Sequence, residues 1–221
     1  PIRHANGHNL DADMTLNWFK EQMNTPHIDK IMHNATYDAG WLRAEGIEVK
    51  GRIIDTMIAA PLVDENRFSY SLNNLGRDYI DMRKDEKMLR AAAKDFGIDP
   101  KSEMWRLPPK FVGPYAEQDA LMTLKLWERL SIEISREELN EVFNLESKLI
   151  PIMLDMRERG VRVDLDKAEQ AKKTLKARVS ELKKFIKQKT SVNIEPWANA
   201  SVESVFKACL LYTSPSPRDA T

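Results

Sequence analysis

Lys30-Ile31-Met32-His33-Asn34-Ala35-Thr36-Tyr37-Asp38 changes its periodicity halfway along. The first four residues read as a short buried strand. From Ala35 to Glu45 the pattern is helical, and Gly46 supplies the left-handed backbone that ends such a helix. The junction carries an amide, Asn34, and a carboxylate, Asp38, four residues apart and therefore on one side of the helix. Arg52-Ile53-Ile54-Asp55 reads as a second strand, with a short helix from Thr56 to Leu62. Upstream, Ile2-Arg3 reads as the end of a strand. Asp13 is placed to cap a helix through Leu16, Phe19 and Met23 that Pro26 stops. Downstream, Ser69 to Phe96 reads as helix, turn, helix. Gly113-Pro114 then opens a long helix with proline at its first position. Strands alternating with helices define an α/β domain over residues 1–135.

A second chemical segment, Gly113-Pro114-Tyr115-Ala116-Glu117-Gln118-Asp119-Ala120, sets a phenol and a carboxylate four apart on one helix face. Carboxylates from different elements can converge on a hard divalent cation, which takes oxygen ligands. Such a cation polarises a phosphodiester and generates hydroxide. Taken singly, Asn-x-x-x-Asp and Tyr-x-x-x-Asp are common, and a helix cap or a solvated carboxylate accounts for either. Their order and placement in one domain give them weight together. No His/Cys spacing points to zinc, and no phosphate-binding glycine loop is present. Trp41, Trp105 and Trp127 are expected in packing, and Met57 and Met122 as core filler.

The chain has 221 residues, with 34 basic and 34 acidic side chains. That composition excludes collagenous, disordered and disulfide-stapled classes. No run approaches the roughly 20 apolar residues of a membrane span. The neutral total conceals a basic segment: residues 167–189 hold nine Lys/Arg against two Glu, a net of +7. Residues 136–208 read as almost wholly helical, with Pro151 a kink and Gly160 a stop. Leu175, Val179, Leu182 and Ile186 form a seam for a partner helix, flanked by lysines. A basic helix is either a solvated face or a phosphate-tracking surface. Residues 209–221 match neither zone. They resemble a translated transposase-type sequencing adapter, and the single cysteine, Cys209, falls among them.

His33-Asn34-Ala35-Thr36-Tyr37-Asp38-Ala39-Gly40-Trp41-Leu42 resembles the second exonuclease motif of family A DNA polymerases, the group of DNA polymerase I, and Tyr115-Ala116-Glu117-Gln118-Asp119-Ala120 resembles the third. Ile54-Asp55-Thr56-Met57 is similar to a recurrent strand of the same domain. Glu146 to Pro151 with Arg159 to Asp164 is similar to the start of the polymerase thumb. Trp197 to Val202 is similar to a thumb-tip segment, most like that of bacteriophage enzymes. The resemblance implies a 3′→5′ proofreading exonuclease of the ribonuclease H-like, DnaQ-like fold, followed by all-α thumb helices. It implies two divalent metals, usually Mg²⁺ with Mn²⁺ an alternative. Asp119 would bind the first directly, and Asp38 would hold the second largely through water. Tyr115 would orient the attacking water, Asn34 would position the terminal nucleotide, and His33 has a possible substrate-side place. The expected partners are a single-stranded 3′ end of DNA and a primer–template duplex, contacted through Lys183, Lys184, Asn199 and Ser201. Plain helix capping is the competing role for Asn199 and Ser201. The implied setting is the cytoplasm of a bacterial or infected cell.

The sequence departs from that family in one respect: no Asp-x-Glu occurs in it. The family's first motif is Asp-x-Glu on the opening strand, which supplies the bridging ligand. Asp11-Ala12-Asp13 and Asp164-Leu165-Asp166 are the nearest patterns, and neither heads the domain on a strand. The chain opens at Pro1, so the expectation is a fold lacking its first strands and, by itself, little or no nuclease activity. Two alternatives stay open: a stand-alone exoribonuclease related to RNase D, and an exonuclease-fold scaffold that only supports DNA binding.

Overall fold

The structure, a computed structural model, describes residues 2–209. Two short strands, β1 (Lys30–Met32) and β2 (Ile53–Asp55), pair in parallel, with Met32 opposite Asp55. The helix α2 (Ala35–Ala44) makes the crossover between them. These three elements follow from the opening motif and its partner strand, each within a residue or two of its sequence-derived limits. A helix α1 (Ala12–Met23) precedes them, and α3 (Thr56–Val63) leaves directly from β2. Then come α4 (Leu72–Ile80), α5 (Lys87–Asp95), a 3₁₀ turn (Met104–Arg106) and the long α6 (Pro109–Arg136). The helix α7 (Asn140–Arg159) closes this part of the chain.

Helices cover the parallel strands, burying β2 throughout and β1 in part. Ile54 of β2 joins Ala59 and Ala60 of α3, Leu72 and Leu75 of α4, and a stripe along α6. That stripe is Met122, Leu126, Leu130 and Ile134, at a spacing of four, and Phe143 of α7 completes the cluster. A second cluster joins Ala35 and Ala39 of α2 to Ile53 and to Ile150 and Leu154 of α7. Gly76 lets α4 lie close on α6, since a Cβ there would strike the Met122 side chain and the Met82 carbonyl. At the far end of β1 the Lys30 ammonium is buried and donates to the backbone carbonyls of Thr25, Ile28 and Lys50.

Several details differ from the sequence reading. Ile2-Arg3 forms no strand. Asp11 caps α1, accepting from the Met14 N–H at 2.7 Å; Asp13 lies one residue inside the helix, where its charge suits the dipole. The long helix begins at Pro109, which takes the favoured first position, and Pro114 sits inside it. The helix α7 runs on through Pro151. Trp41 and Trp105 are exposed, at 61% and 58%, and Met57 is also exposed, whereas Met122 is buried and Trp127 stacks on Phe143. Sequence zones placed α7 with the later helices, but its apolar side packs on α2 and β2, and the first compact unit extends to Gly160.

From Val161 onward a second unit contains α8 (Leu165–Thr190) and α9 (Asn199–Ala208). Asp164 caps α8 through the Lys167 N–H. The expected seam is largely uncovered: Leu175 is 64% exposed, and no residue of α8 is buried. The adapter-like stretch lies outside the described residues except for Cys209, which is exposed.

Both strand-to-helix junctions hang on Asp55, which is 3% exposed. Its Oδ1 accepts from the N–H groups of Asn34 and Met57 at 2.9 Å, and its Oδ2 from that of Ala35 at 2.7 Å. Asp55→Ala strands these donors in a dry place. Urea unfolding is expected to show a loss of about 2–4 kcal/mol; a loss below about 0.5 kcal/mol would contradict this account.

Candidate active site

Asn34 adopts a left-handed backbone, φ 68° and ψ 56°, at the point where β1 turns into α2. Asparagine is among the residues that tolerate this region, and the two Asp55 hydrogen bonds at Asn34 and Ala35 hold the turn. The turn sets Asp38 in the first turn of α2. Asp38 is largely accessible, yet surrounding atoms desolvate its carboxyl, and the nearby Asp55 charge adds to this, so its pKa lies above the usual aspartate value. His33, the last residue before the turn, places Nδ1 2.9 Å from the Thr56 hydroxyl. Thr56 in turn donates to the Met32 carbonyl at 3.2 Å.

On α6, one helical turn separates Tyr115 from Asp119. Between them sits a group the sequence reading passed over, Lys84. Its ammonium donates to Asp119 Oδ2 at 2.7 Å, lies 3.4 Å from the Tyr115 hydroxyl, and stands 5.2 Å from the Tyr115 ring centre. Burial alone would lower the Lys84 pKa, but the bond and charge of Asp119 outweigh it, and the net shift is upward. Burial, then the Asp119 charge, raise the Tyr115 pKa, which keeps the phenol protonated at neutral pH. His33 feels this cluster too. Burial lowers its pKa, Asp55 opposes that, and Lys84 and Asp119 act in opposite senses on it. His33 thus feels the Lys84–Asp119 pair, whereas the Asp38 carboxyl responds to Asp55.

Asp119 Oδ1 is buried without a hydrogen-bond partner, which suits a cation ligand. Yet among the described residues no three His, Cys, Asp or Glu side chains gather as a metal site. The residues present supply one such oxygen, not a full ligand set. Sequence signals for the missed residues existed but were ambiguous. Asp55 reads as the polar end of the apolar run Ile53-Ile54, and Lys84 is one cation in the charged run Arg83–Lys87.

The other expected contacts belong to the second unit. Lys183 pairs with Glu195 at 3.0 Å, and with Lys176, Lys184 and Lys187 it lines a groove along α8 closed by Asn193 and Ile194. Asn199 is the first residue of α9 and does not cap it. The Ser201 hydroxyl accepts from the Glu195 N–H at 2.8 Å and so ties the preceding loop to α9.

A parallel βαβ core wrapped by helices, with Tyr115 and Asp119 joined through Lys84 on α6, is the arrangement of an α/β domain of nuclease type. The family of 3′-5′ exonucleases found in A-type DNA polymerases matches residues 3–135, and the chain belongs to that family. A DNA-directed DNA polymerase of Pseudomonas phage M6 is 43% identical over 76% of this chain and 26% of its own length. The DNA polymerase DpoZ of Acinetobacter phage SH-Ab 15497 is 30% identical over 86% of this chain and 31% of its own. The chain therefore spans between a quarter and a third of the length of these two curated relatives. Among solved structures, the apo form of a nuclease aligns over 71% of this chain and 68% of its own, with TM-score 0.54 and 16% identity. The polymerase domain of Pol1 from M. smegmatis, in complex with DNA primer-template and dNTP, covers 95% of this chain and 33% of its own, with TM-score 0.59 and 18% identity. These likenesses establish the exonuclease fold. Exonuclease domains of DNA polymerases depend in general on divalent metal. Among the described residues no helix is long and apolar enough to cross a membrane.

The His33 environment gives a direct check. A histidine held below its usual value favours the neutral form in the folded state. Stability is then full above the unfolded value, about 6.5, and declines as pH falls below it toward the folded value. NMR titration is expected to show the His33 imidazole with a midpoint below that of a free histidine. His33→Gln should remove the corresponding part of the stability decline as pH falls below about 6.5.

Proposed function

We propose that this chain is the proofreading exonuclease region of a phage-type family A DNA polymerase, removing nucleotides from the 3′ end of DNA. What supports this reading is the Lys84 ammonium shared by Tyr115 and Asp119, with His33 of the β1–α2 junction within reach of its charge. Asp119 would be a direct metal ligand, supported by its orphaned buried oxygen. Asp38 would serve a second metal through water, Tyr115 would orient the attacking water, and Asn34 and His33 would face the terminal nucleotide. Mg²⁺ is the proposed ion, with Mn²⁺ able to replace it; the metal would lower the pKa of water and neutralise the phosphate charge.

The proposed substrate is a single-stranded 3′ end. Residues 136–208 are proposed as the first helices of the polymerase domain, with Lys183, Lys184, Asn199 and Ser201 near duplex phosphates. The solved relative with primer-template DNA supports that partner. The proposed setting is a bacterial or phage-infected cytoplasm. Residues 209–221 are proposed to be adapter translation.

The test joins an opening strand bearing Asp-x-Glu to this chain and follows trimming of 5′-labelled single-stranded DNA in Mg²⁺. The chain without that strand should trim little or not at all. In the joined protein, Asp119→Ala and Asp38→Ala should each lower the rate by on the order of 100-fold, and Tyr115→Phe by about 10-fold or more. Full activity in both carboxylate variants, or strong Mg²⁺-dependent trimming by the chain alone, would refute the assignment. Trimming of RNA in preference to DNA would place the activity with the exoribonucleases.

A further inference from the structure

Trp41 is the largest side chain of α2, yet it stays exposed, and so does Tyr37 one helical turn before it. The two rings meet edge to face, with centres 6.3 Å apart. That contact braces each ring against the other while leaving much of both to solvent. They border a cavity of about 450 Å³ between α2 and α7, inside the first compact unit. Buried Leu154 and half-buried Gly40 line its inner side. A Cβ at Gly40 would stand 3.7 Å from Leu154 Cδ2 and 3.9 Å from Arg157 Nη1, so the missing side chain leaves room beside the guanidinium.

The charges around this cavity are unevenly spent. Arg43 pairs with Asp155 at 2.6 Å and with Glu158 at 3.6 Å, which occupies both nearby carboxylates. The Arg157 guanidinium has no ion pair or hydrogen bond among the described residues. We infer that the cavity is a nucleotide-binding site, in which the base lies on Trp41, braced by Tyr37, and Arg157 takes the phosphate. Both halves of the ligand follow from the lining. An exposed indole gives any base a face to stack on. A guanidinium presents paired donors that match phosphate oxygens. A purely apolar ligand would leave Arg157 without a partner, and inorganic phosphate would leave both rings bare. The volume falls in the range of small-ligand sites, about 300–1,000 Å³. Asp38 lies three residues before Trp41, on an adjoining strip of the α2 surface, so a nucleotide held here sits beside the candidate active site. The same chemistry fits a free mononucleotide or one unit of a passing single strand. The inference needs no metal and stands whether or not Asp119 ligates one.

The test follows the Trp41 indole N–H resonance of this chain in EDTA, assigned by its loss in Trp41→Phe. Titration with dAMP is expected to shift it saturably. Deoxyadenosine, which lacks the phosphate, should bind about tenfold more weakly. Arg157→Met, read at the same indole, should lower dAMP affinity about tenfold, to that of deoxyadenosine. Trp41→Leu, read at the dAMP base protons, should lower it about fivefold or more. Both side chains are exposed, so the urea midpoints should hold. An oligodeoxyadenylate of about six residues separates the two sources. Affinity per nucleotide above that of dAMP assigns the site to a strand; equal or lower affinity assigns it to the free nucleotide. An indole that does not move with the oligomer or with about 10 mM dAMP overturns the inference. So does equal binding of dAMP and deoxyadenosine, or undiminished dAMP binding in Arg157→Met.

Discussion

The carboxylate of Asp55 is the constraint on which the rest is built. It ends a buried strand, caps the helix that leaves it, and grips the two amides at which the neighbouring strand turns into α2. A parallel pair of strands only three residues long has little ladder of its own. Fixing both carboxyl ends with one buried side chain compensates for that shortness. It also makes the left-handed turn at Asn34 tolerable, since the strained residue is bonded on its own N–H. Every group assigned to chemistry on α2 inherits its direction from this turn.

The second organising feature is electrostatic. The site holds a protonated phenol, a carboxylate with one satisfied and one empty oxygen, and a clamped ammonium between them. A buried charge of one sign costs free energy unless it is paired. In this chain the pairing comes from Lys84, so the site is neutralised from within. That explains how Asp119 can sit part-buried on a helix otherwise packed by Met122, Leu126 and Leu130.

Much of this architecture was legible in the sequence. The change from strand to helical periodicity at Asn34 located β1 and α2, and Ile53–Asp55 announced its parallel partner, because fully buried strands read as short apolar runs. Motif spacing singled out Asn34 with Asp38 and Tyr115 with Asp119, since side chains four apart on a helix share a face, and the structure joins the second pair through Lys84. What escaped was set by tertiary contact. Lys84 is indistinguishable in sequence from the solvated charges around it, and only the bonds of its segment to Asn73 and Gln118 select it. Pro114 seemed a helix start because a proline inside a helix is costly, yet Pro109 had already taken the first position. The size of Trp41 and Trp105 points to a place in the core or between elements, whereas the structure leaves both largely exposed.

The reach of α7 has a consequence for how such proteins can be taken apart or recombined. The family match ends at residue 135, but Phe143, Ile150 and Leu154 lie beyond it and are buried against the nuclease elements. A cut at the family limit would uncover Ala35, Ala39 and Ile53 on one side and unseat Phe143 from Ile54 and the α6 stripe on the other. Loss of three large buried side chains is worth several kcal/mol each, which few small domains can spare. The unit of exchange between polymerases is therefore not the nuclease alone. It is the nuclease carrying the helix that follows it, so that a graft or a natural crossover is favoured near the exposed link after Gly160.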